Sequence, residues 1–426
     1  MRIAIIAVGS RGDVQPYIAL GQGLKKAGHT VRLVTMQDFE VFVNAHGLEF
    51  WSMRGNAQEA IESNETRELL EKGNLLKVIS LIKKESQRAS IEMIEDGLTA
   101  CQGMDLLITG SVGLNIGLAL ADHLKIPLIR THLVPFTPTR TFPTVFIPQT
   151  FPNLGGAFNR LSWQLLLQML WLGIGPTFNQ ARKKVLGLPP ISFAETYLPN
   201  GSKGFPTLYG FSSSVVPAPA DWGDEISVTG YWFLDPADNW TPPPALLDFL
   251  HAGSAPVYLG FGSMSSRNPE ETAELVIKAL KKTNQRALLF SGWGGLQTKD
   301  LPDSVMMIGS TPHDWLFPRC AALVHHGGAG TTAAGLRAGV PSIVIPFNFD
   351  QPFWGKRVYE LGVGPAPIPR SKLTADRLAE TIQDAVTNTG MHQCAADLGS
   401  KILAEDGVAN AVDIIQNHFT GNHWAD

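Results

Sequence analysis

The stretch AIIAVGSRGDVQPYIALGQGL, residues 4–24, decides the fold class. It begins with an apolar run typical of a buried strand, passes through the glycine-rich segment GSRGD, and continues with the spacing of a helix. Pro16 predicts where this helix starts and Gly28 predicts where it ends. A buried strand that leads into a helix through a glycine turn is the repeating unit of parallel sheets covered by helices. The segment therefore predicts an α/β fold.

The same unit recurs in both halves of the chain. Apolar strands followed by helical stretches are predicted at DLLITG and IPLIRTHLV in the first half, and at PVYLGFGS, AALVHH and PSIVIPF in the second. Proline density between 217 and 244 predicts a connection between two domains. We expect Rossmann-like domains at 1–236 and 237–400, and a closing helix within 401–426.

Composition narrows the class of protein. The 426 residues are 44% hydrophobic and 17% charged with a net charge of −4, which favours a folded globular protein and gives no basic excess for nucleic acid. The three cysteines are far apart and odd in number, so a reducing compartment, the cytoplasm, is expected. The apolar stretch 161–175 is shorter than the ~20 residues of a membrane span and carries Gln164 and Gln168, so no transmembrane helix is predicted.

The richest glycine turn is VHHGGAGTTAAGLRAGVP, residues 324–341. Glycines between a strand and a helix let a phosphate approach the amides of the helix N-terminus, so this turn predicts a diphosphate site. No lysine follows the glycines, which excludes the phosphate loop of nucleotide triphosphatases. Adjacent histidines on a strand point to opposite faces, so only one of His325 and His326 is expected to touch ligand, and a shared metal is disfavoured. A tight structural turn is the alternative.

A second polar pair follows the strand at 341–347. Asp350 is an acceptor and the Gln351 carboxamide is both donor and acceptor, a combination suited to sugar hydroxyls. An aspartate stabilised by the dipole of the following helix is the alternative reading.

Four segments resemble the nucleotide-sugar-dependent glycosyltransferases that act on sterols, lipids and antibiotic aglycones. They are GSRGDVQP, GFGSM, PHDWLFPRCAALVHHGGAGTTAAGLRAGVP and PFNFDQPFWGKRV. The resemblance covers nearly the whole chain and is most specific over residues 310–364. It implies the GT-B fold, in which two Rossmann-like domains face each other across a cleft, with the acceptor bound mainly by the first and the donor by the second.

The resemblance also implies roles for individual residues. The diphosphate contacts are His325 or His326 with the amides of the GGAGT turn, and the hexose binders are Asp350 and Gln351. Ser263 matches a donor-contacting serine, and the TPHDW loop lies where the base of the nucleotide is held. The donor-binding residues expected on this ground are Ser263, His313, His325, His326, Gly328, Gly330, Thr331, Asp350 and Gln351.

Asp13 matches the general base of the sterol and antibiotic branches. Transfer with inversion needs a base for the acceptor hydroxyl and stabilisation of the departing diphosphate, and Asp13 follows a strand end where such sheets bind ligands. No Asp-x-Asp motif occurs in the chain, so we expect neither a metal nor a cofactor, only a UDP-sugar as co-substrate. A cap of the first helix is the alternative role of Asp13.

Aromatic residues on a proline-broken backbone between 133 and 175 favour an apolar acceptor pocket. We expect acceptor contacts from His132, Phe136, Phe142 and Phe146. An ordinary core helix is the alternative for 161–172. The acceptor pocket is compatible with peripheral contact to a membrane.

The functional hypothesis is an inverting, metal-independent glycosyltransferase that moves a hexose, expected to be glucose, from a UDP-sugar to a lipophilic alcohol such as a sterol or triterpenoid. The alternatives are a sugar-nucleotide 2-epimerase, a natural-product glycosyltransferase that uses a dTDP-sugar, and a non-catalytic sensor. A nicotinamide-dependent oxidoreductase is disfavoured because GSRGDV lacks the G-x-G-x-x-G spacing.

Overall fold

The computed structural model describes residues 1–54, 89–146, 154–197, 206–235, 240–260, 269–290, 301–347 and 349–420. The strands are β1 (Arg2–Ile6), β2 (Thr30–Thr35), β3 (Glu49–Ser52), β4 (Leu106–Thr109), β5 (Leu128–His132), β6 (Thr207–Tyr209), β7 (Ile226–Val228), β8 (Val257–Gly260), β9 (Ala287–Phe290), β10 (Val305–Ile308), β11 (Ala322–His325) and β12 (Ser342–Val344). The helices are α1 (Arg11–Lys26), α2 (Glu40–Ala45), α3 (Leu114–Leu124), α4 (Gly156–Leu186), α5 (Phe193–Tyr197), α6 (Pro244–His251), α7 (Pro269–Thr283), α8 (His313–Leu316), α9 (Ala329–Ala338), α10 (Gln351–Glu360), α11 (Ala375–Thr387), α12 (Thr389–Leu403) and α13 (Gly407–Thr420). A further helical segment covers 89–101.

These strands form two parallel sheets. The first has seven strands in the order β3-β2-β1-β4-β5-β6-β7, and the second has five in the order β10-β9-β8-β11-β12. Both orders reverse direction beside the first strand of the sheet, as in doubly wound folds that bind ligands at the carboxyl ends of their strands. The predicted α/β class with two Rossmann-like units is confirmed.

The burial of β1 explains its continuous apolar sequence. Ile3 and Ile5 belong to one hydrophobic cluster, whereas Ala4 and Ile6 belong to another. Successive side chains of a strand point to opposite faces, so both faces of β1 are covered by helices. An apolar run without alternation is the expected pattern for such a strand.

The start of α1 differs from its prediction. The helix begins at Arg11 with Ser10 as its N-cap, and Pro16 lies inside the helix. Proline is tolerated there because it removes only one hydrogen bond near the start, while Ser10 and Asp13 determine where the helix begins. The predicted end is confirmed, since Gly28 follows the last turn with φ +89°.

The C-terminal helices connect the two sheets. Helix α12 packs against α9 beside the second sheet, whereas α13 packs against α1 beside the first. At the crossing, the backbones of Gly230 and Gly407 approach so closely that a Cβ on Gly407 would lie 2.4 Å from the Gly230 carbonyl carbon. The predicted closing helix corresponds to α13, and the predicted boundary between 236 and 237 lies outside the described residues.

A hydrophobic cluster lies between the two sheet domains. Phe142 of the first domain lies 5.8 Å from Phe353 of the second, measured between ring centroids. Arg357 reaches across this interface and donates to the Val215 carbonyl at 2.7 and 3.1 Å. These contacts join the two sheet domains. Across the described ranges, no helix combines the length and the apolar character needed to cross a membrane.

Candidate active site

His325 is the last residue of β11 and is fully buried. Its Nδ1 accepts a hydrogen bond from the Gly327 amide at 3.1 Å, so a neutral ring carries its hydrogen on Nε2. Burial, with the neighbouring charges of His326 and His313, lowers the pKa of His325 to about 3. The Nε2 atom is buried and has no hydrogen-bond partner among the described residues. The strand end therefore presents a neutral donor that a ligand oxygen can satisfy.

The glycines after His325 have different physical roles. Gly327 has φ +89°, and a Cβ there would lie 2.6 Å from Val344, so glycine is required by the fold. A Cβ on Gly328 would lie 2.5 Å from Nε2 of His326. A Cβ on Gly330 would meet nothing within 4 Å, so this position borders open space. The open space lies at the first turn of α9, where helix amides lack partners within the helix.

Helix α9 has no polar cap of its own. Its N-cap is Gly328, and its first turn contains no acidic residue. The half-buried Thr331 and the buried Thr332 open the helix, and the Thr332 Oγ1 is buried without a hydrogen-bond partner among the described residues. An uncapped helix start with unsatisfied polar groups is suited to an anion.

The other two histidines lie near the same turn. His313, at the start of α8, stacks on Phe317 at 4.2 Å between ring centroids. Burial lowers the pKa of His326 to about 4, and burial followed by the charges of Arg11 and His326 lowers that of His313 to about 4. All three rings are thus neutral at pH 7. Among the described residues, no group of three or more histidine, cysteine or acidic side chains is arranged to hold a metal.

Asp350 precedes α10 as its N-cap residue, yet its carboxylate bonds to no helix amide. Instead, Trp354 Nε1 donates to Asp350 Oδ2 at 2.7 Å. Burial and, to a lesser extent, the negative charge of Asp13 raise the pKa of Asp350 to about 6, although the hydrogen bond from Trp354 lowers it. The preceding residue, Phe349, has φ +54°, a strained conformation for a bulky residue. The carboxylate is oriented by the indole rather than used as a cap.

Gln351 is buried at the first position of α10. Its Oε1 accepts a hydrogen bond from the Phe347 amide at 2.8 Å. The carboxamide oxygen thus holds the turn that follows β12. The predicted role in binding a hexose stays a prediction for this residue.

Asp13 occupies the third position of α1 and is half-buried. Its Oδ2 accepts hydrogen bonds from the Ser10 amide at 2.9 Å and from the Ser10 hydroxyl at 2.8 Å. This is the capping-box arrangement that was the alternative to a catalytic role. The arrangement also orients the carboxylate at the carboxyl end of β1.

Charged groups of the first domain lie close enough to act on titratable groups of the second. The charge of Asp13 acts on the Asp350 carboxyl group, and the charge of Arg11 acts on the His313 ring. Arg11 itself lies over the Phe42 ring at 4.8 Å and donates to Gln15 at 3.0 Å. The start of α1 therefore faces the turns of the second domain that contain Asp350 and the histidines.

The predicted acceptor residues divide into two groups. His132 and Phe136 line a cavity of about 20 Å³ and stack at 5.1 Å between ring centroids. His132 Nδ1 lies 2.7 Å from Ser111 Oγ, and burial followed by the charge of Arg130 lowers the pKa of His132 to about 3. A space of this size holds about one water molecule. A sterol needs a larger volume than this cavity offers.

Phe142 and Phe146 lie elsewhere. Both pack against the hydrophobic cluster between the domains, and Phe142 also accepts a hydrogen bond at its carbonyl from Trp163 Nε1 at 3.1 Å. Neither of them lines the cavity beside His132, although His132 contacts Tyr209 of the same cluster at 5.4 Å between ring centroids. Ser263, the remaining predicted site residue, lies outside the described residues.

Three residues at the site escaped the sequence reasoning. Trp354 lies one helical turn after Asp350, so the spacing was available as a signal. Ser10 precedes Asp13 by three residues, which is the spacing of a capping box. Arg130 lines the cavity of His132 and is buried with its Nε unpaired among the described residues, and its signal was a charge inside an apolar strand.

Comparison with known proteins places these features in a family. The model of the glycosyltransferase family 28 N-terminal domain matches residues 3–143, and the Erythromycin biosynthesis protein CIII-like C-terminal domain matches 290–417. A sterol 3-beta-glucosyltransferase of Arabidopsis thaliana is 39% identical and covers 98% of this chain and 68% of its own length. The chain belongs to the glycosyltransferase family that contains this relative. A Pichia angusta sterol 3-beta-glucosyltransferase is 37% identical, and the chain spans 33% of its length.

Solved structures agree on the fold. The glycosyltransferase of kitacinnamycin superposes on this glycosyltransferase with a TM-score of 0.71 at 20% identity, covering 98% of both chains. The glycosyltransferase VinC, solved in complex with dTDP, gives a TM-score of 0.66 at 20% identity, covering 98% of this chain and 99% of its own. The predicted GT-B fold and the predicted family are confirmed.

Proposed function

We propose that this glycosyltransferase moves a hexose, glucose first, from a UDP-sugar to the hydroxyl of a sterol or similar lipophilic alcohol, with inversion at the anomeric carbon. The relatives named as sterol 3-beta-glucosyltransferases support the sugar and the acceptor class. The observation that carries the proposal is the uncapped start of α9 beside His325, whose buried Nε2 has no hydrogen-bond partner among the described residues. Asp13 of the first domain supplies a carboxylate that can accept a proton, and its charge acts on Asp350 of the second domain.

In the proposed mechanism, Asp13 removes the proton of the acceptor hydroxyl while the acceptor oxygen forms a bond to the anomeric carbon. The bond from that carbon to the diphosphate oxygen breaks, and UDP leaves with the electron pair. Attack on the face opposite the leaving group inverts the configuration. The two hydrogen bonds from Ser10 orient the Asp13 carboxylate for this step.

The departing diphosphate would meet donors at the start of α9. The Nε2 hydrogen of His325 and the amides of the uncapped first turn can each donate to a phosphate oxygen. Gly330 leaves the space beside these amides open. The proposal assigns this stabilisation to the protein and includes no metal ion.

A donor and acceptor panel tests the proposal. The purified chain is incubated with UDP-glucose, UDP-galactose and dTDP-glucose, each with sterols and triterpenoid alcohols, in the presence and absence of a chelator. We expect a sterol β-glucoside from UDP-glucose, detected by mass and by the anomeric coupling in NMR, with no effect of the chelator. Isomerised sugar nucleotide without any glycoside would favour an epimerase, and an α-glucoside would contradict inversion.

A further inference from the structure

Helix α4 presents an unusual surface to solvent. Four side chains of the helix and one just before it are large, apolar and between 36% and 58% exposed. They are Leu154, which precedes the helix, and Leu161, Leu165, Met169 and Leu172 within it. We call this set the α4 ridge. The last four are spaced by four, four and three residues, which places them along one side of the helix over about 17 Å. Exposed apolar side chains grouped in this way indicate an interaction surface rather than a core helix.

The opposite side of α4 leads towards the predicted acceptor residues. Trp163 and Leu167 are buried, and Trp163 donates to the carbonyl of Phe142. Trp171 packs edge-on against Tyr197 at 6.2 Å, and Tyr197 lines the cavity beside His132. Helix α4 therefore has the ridge on its solvent side and contacts the acceptor side of the first domain with its other side.

The charges of α4 complement a negatively charged surface. Its 31 residues contain no aspartate or glutamate, and no charged residue occurs between Arg160 and Arg182. Lys183 and Lys184 are exposed in the last turn, whereas Arg182 is buried and paired with Asp122. Arg160, near the start of the helix, is also exposed, and its charge acts on Asp221. The exposed cations of α4 are therefore Arg160, Lys183 and Lys184. A neutral ridge can leave water without burying a charge, while the lysines attract anions nearby.

We propose that the α4 ridge docks this glycosyltransferase onto an anionic lipid surface, with Lys183 and Lys184 at the level of the headgroups. This deepens the proposed function and rests on it, because a sterol acceptor is dissolved in the bilayer. An interfacial helix with an apolar side and basic residues inserts shallowly instead of spanning the membrane. The acceptor then enters the first domain from the lipid side of α4.

The test uses the full chain and vesicles of phosphatidylcholine, with or without about one third phosphatidylserine. Co-sedimentation measures binding of the wild type, of the ridge variant Leu161→Gln/Leu165→Gln/Leu172→Gln, and of Lys183→Glu/Lys184→Glu. The matched controls are Val41→Gln/Leu403→Gln, which changes exposed apolar residues elsewhere, and Lys281→Glu/Lys372→Glu, which changes exposed lysines of the second domain.

We expect the wild type to prefer the anionic vesicles and each α4 variant to lose at least about tenfold in vesicle affinity, while both controls bind as the wild type does. Glucosylation of a sterol held in vesicles falls in parallel, whereas glucosylation of the same sterol in detergent micelles is unchanged. Thermal unfolding of each variant confirms folding. The lysine variant, which removes no apolar contact, carries the test if the ridge variant fails to fold.

Three results would overturn the docking proposal. The first is vesicle binding by the ridge variant equal to that of the wild type, and the second is equal binding of the wild type to neutral and anionic vesicles. The third is a wild-type dimer in sedimentation velocity that is lost in the ridge variant, with no vesicle binding by either protein. The last result would mean that a second copy covers the ridge. Vesicle binding by a wild type that glucosylates no sterol in micelles would leave the docking intact and refute the proposed function instead.

Discussion

The β1–α1 turn and the β11–α9 turn are the same backbone unit, but they differ in the charge at the start of the helix. Each follows a strand with parallel neighbours on both sides and passes through a glycine with positive φ, 139° at Gly9 and 89° at Gly327. In the β1–α1 turn, the protein itself supplies a negative charge, because Asp13 lies in the first helical turn of α1. In the β11–α9 turn, α9 begins after its N-cap residue Gly328, with no side-chain cap and no acidic residue in its first turn.

This difference separates a turn that contains a negative charge from a turn that can receive one. The positive end of the α1 dipole is already matched by Asp13, whereas that of α9 is unmatched. The first turn can therefore supply a base, and the second can bind an anion. The following changes test this assignment, from the largest expected effect to the smallest.

Asp13→Asn should lower kcat for sterol glucosylation by about 10²- to 10⁴-fold, because the carboxamide cannot accept the acceptor proton. The affinity for UDP, measured by calorimetry, should be unchanged. Ser10→Ala is the control, since it removes a hydrogen bond to Asp13 and the N-cap hydroxyl, costs about 1 kcal/mol of unfolding free energy, and keeps the base. Equal losses of activity and stability in both variants would reduce Asp13 to a capping residue.

His325→Gln should lower kcat/KM by about 10²-fold and weaken UDP binding, because the position loses the imidazole Nε2 donor assigned to the diphosphate. His326→Gln is the matched control within the same turn and should have a smaller effect. Steady-state kinetics and UDP calorimetry measure both. A larger loss for the His326 variant would transfer the diphosphate contact to that ring.

Gly330→Ala should raise the KM for UDP-glucose by about tenfold, equivalent to about 1.4 kcal/mol, because the added methyl group enters the open space beside the α9 amides. The unfolding free energy should stay the same or rise by up to about 1 kcal/mol, since alanine favours the helix. Gly327→Ala should instead destabilise the fold through its positive φ and its contact with Val344. An unchanged KM for Gly330→Ala would mean that the donor does not use this space.

The affinity for UDP-glucose should fall severalfold as the pH drops below about 6, where Asp350 becomes protonated, while the affinity for UDP should not. Removing the nearby charge in Asp13→Asn should move this midpoint to lower pH.

The raised pKa of Asp350 also predicts an effect on stability. The contribution of Asp350 to the free energy of unfolding is present below its unfolded pKa of about 3.9 and is lost as the pH rises through about 6. The stability of Asp350→Asn relative to the wild type, measured by thermal unfolding, should therefore rise with pH. A stability difference that does not change with pH would contradict the assignment.

Particular residues show how far sequence reasoning reached. The strand, glycine turn and helix around Asp13 were predictable because burial on both faces of β1 leaves a continuous apolar run. The start of α1 was predicted wrongly from Pro16, because the capping pair Ser10 and Asp13 outweighs a proline that the helix can absorb. The pairing of Asp350 with Trp354 was missed although the residues are four apart on a helix.

The sequence alone determined the α/β class, the two sheet domains and the turns that contain the candidate site residues, because local patterning and glycine positions reflect local backbone requirements. Only the tertiary structure decided that Asp13 of the first domain acts on Asp350 of the second and that His132 lines a cavity that Phe142 does not line. It also decided that the α4 leucines face solvent. Helical spacing identifies which side chains share a side of a helix, but what covers that side depends on elements distant in the chain.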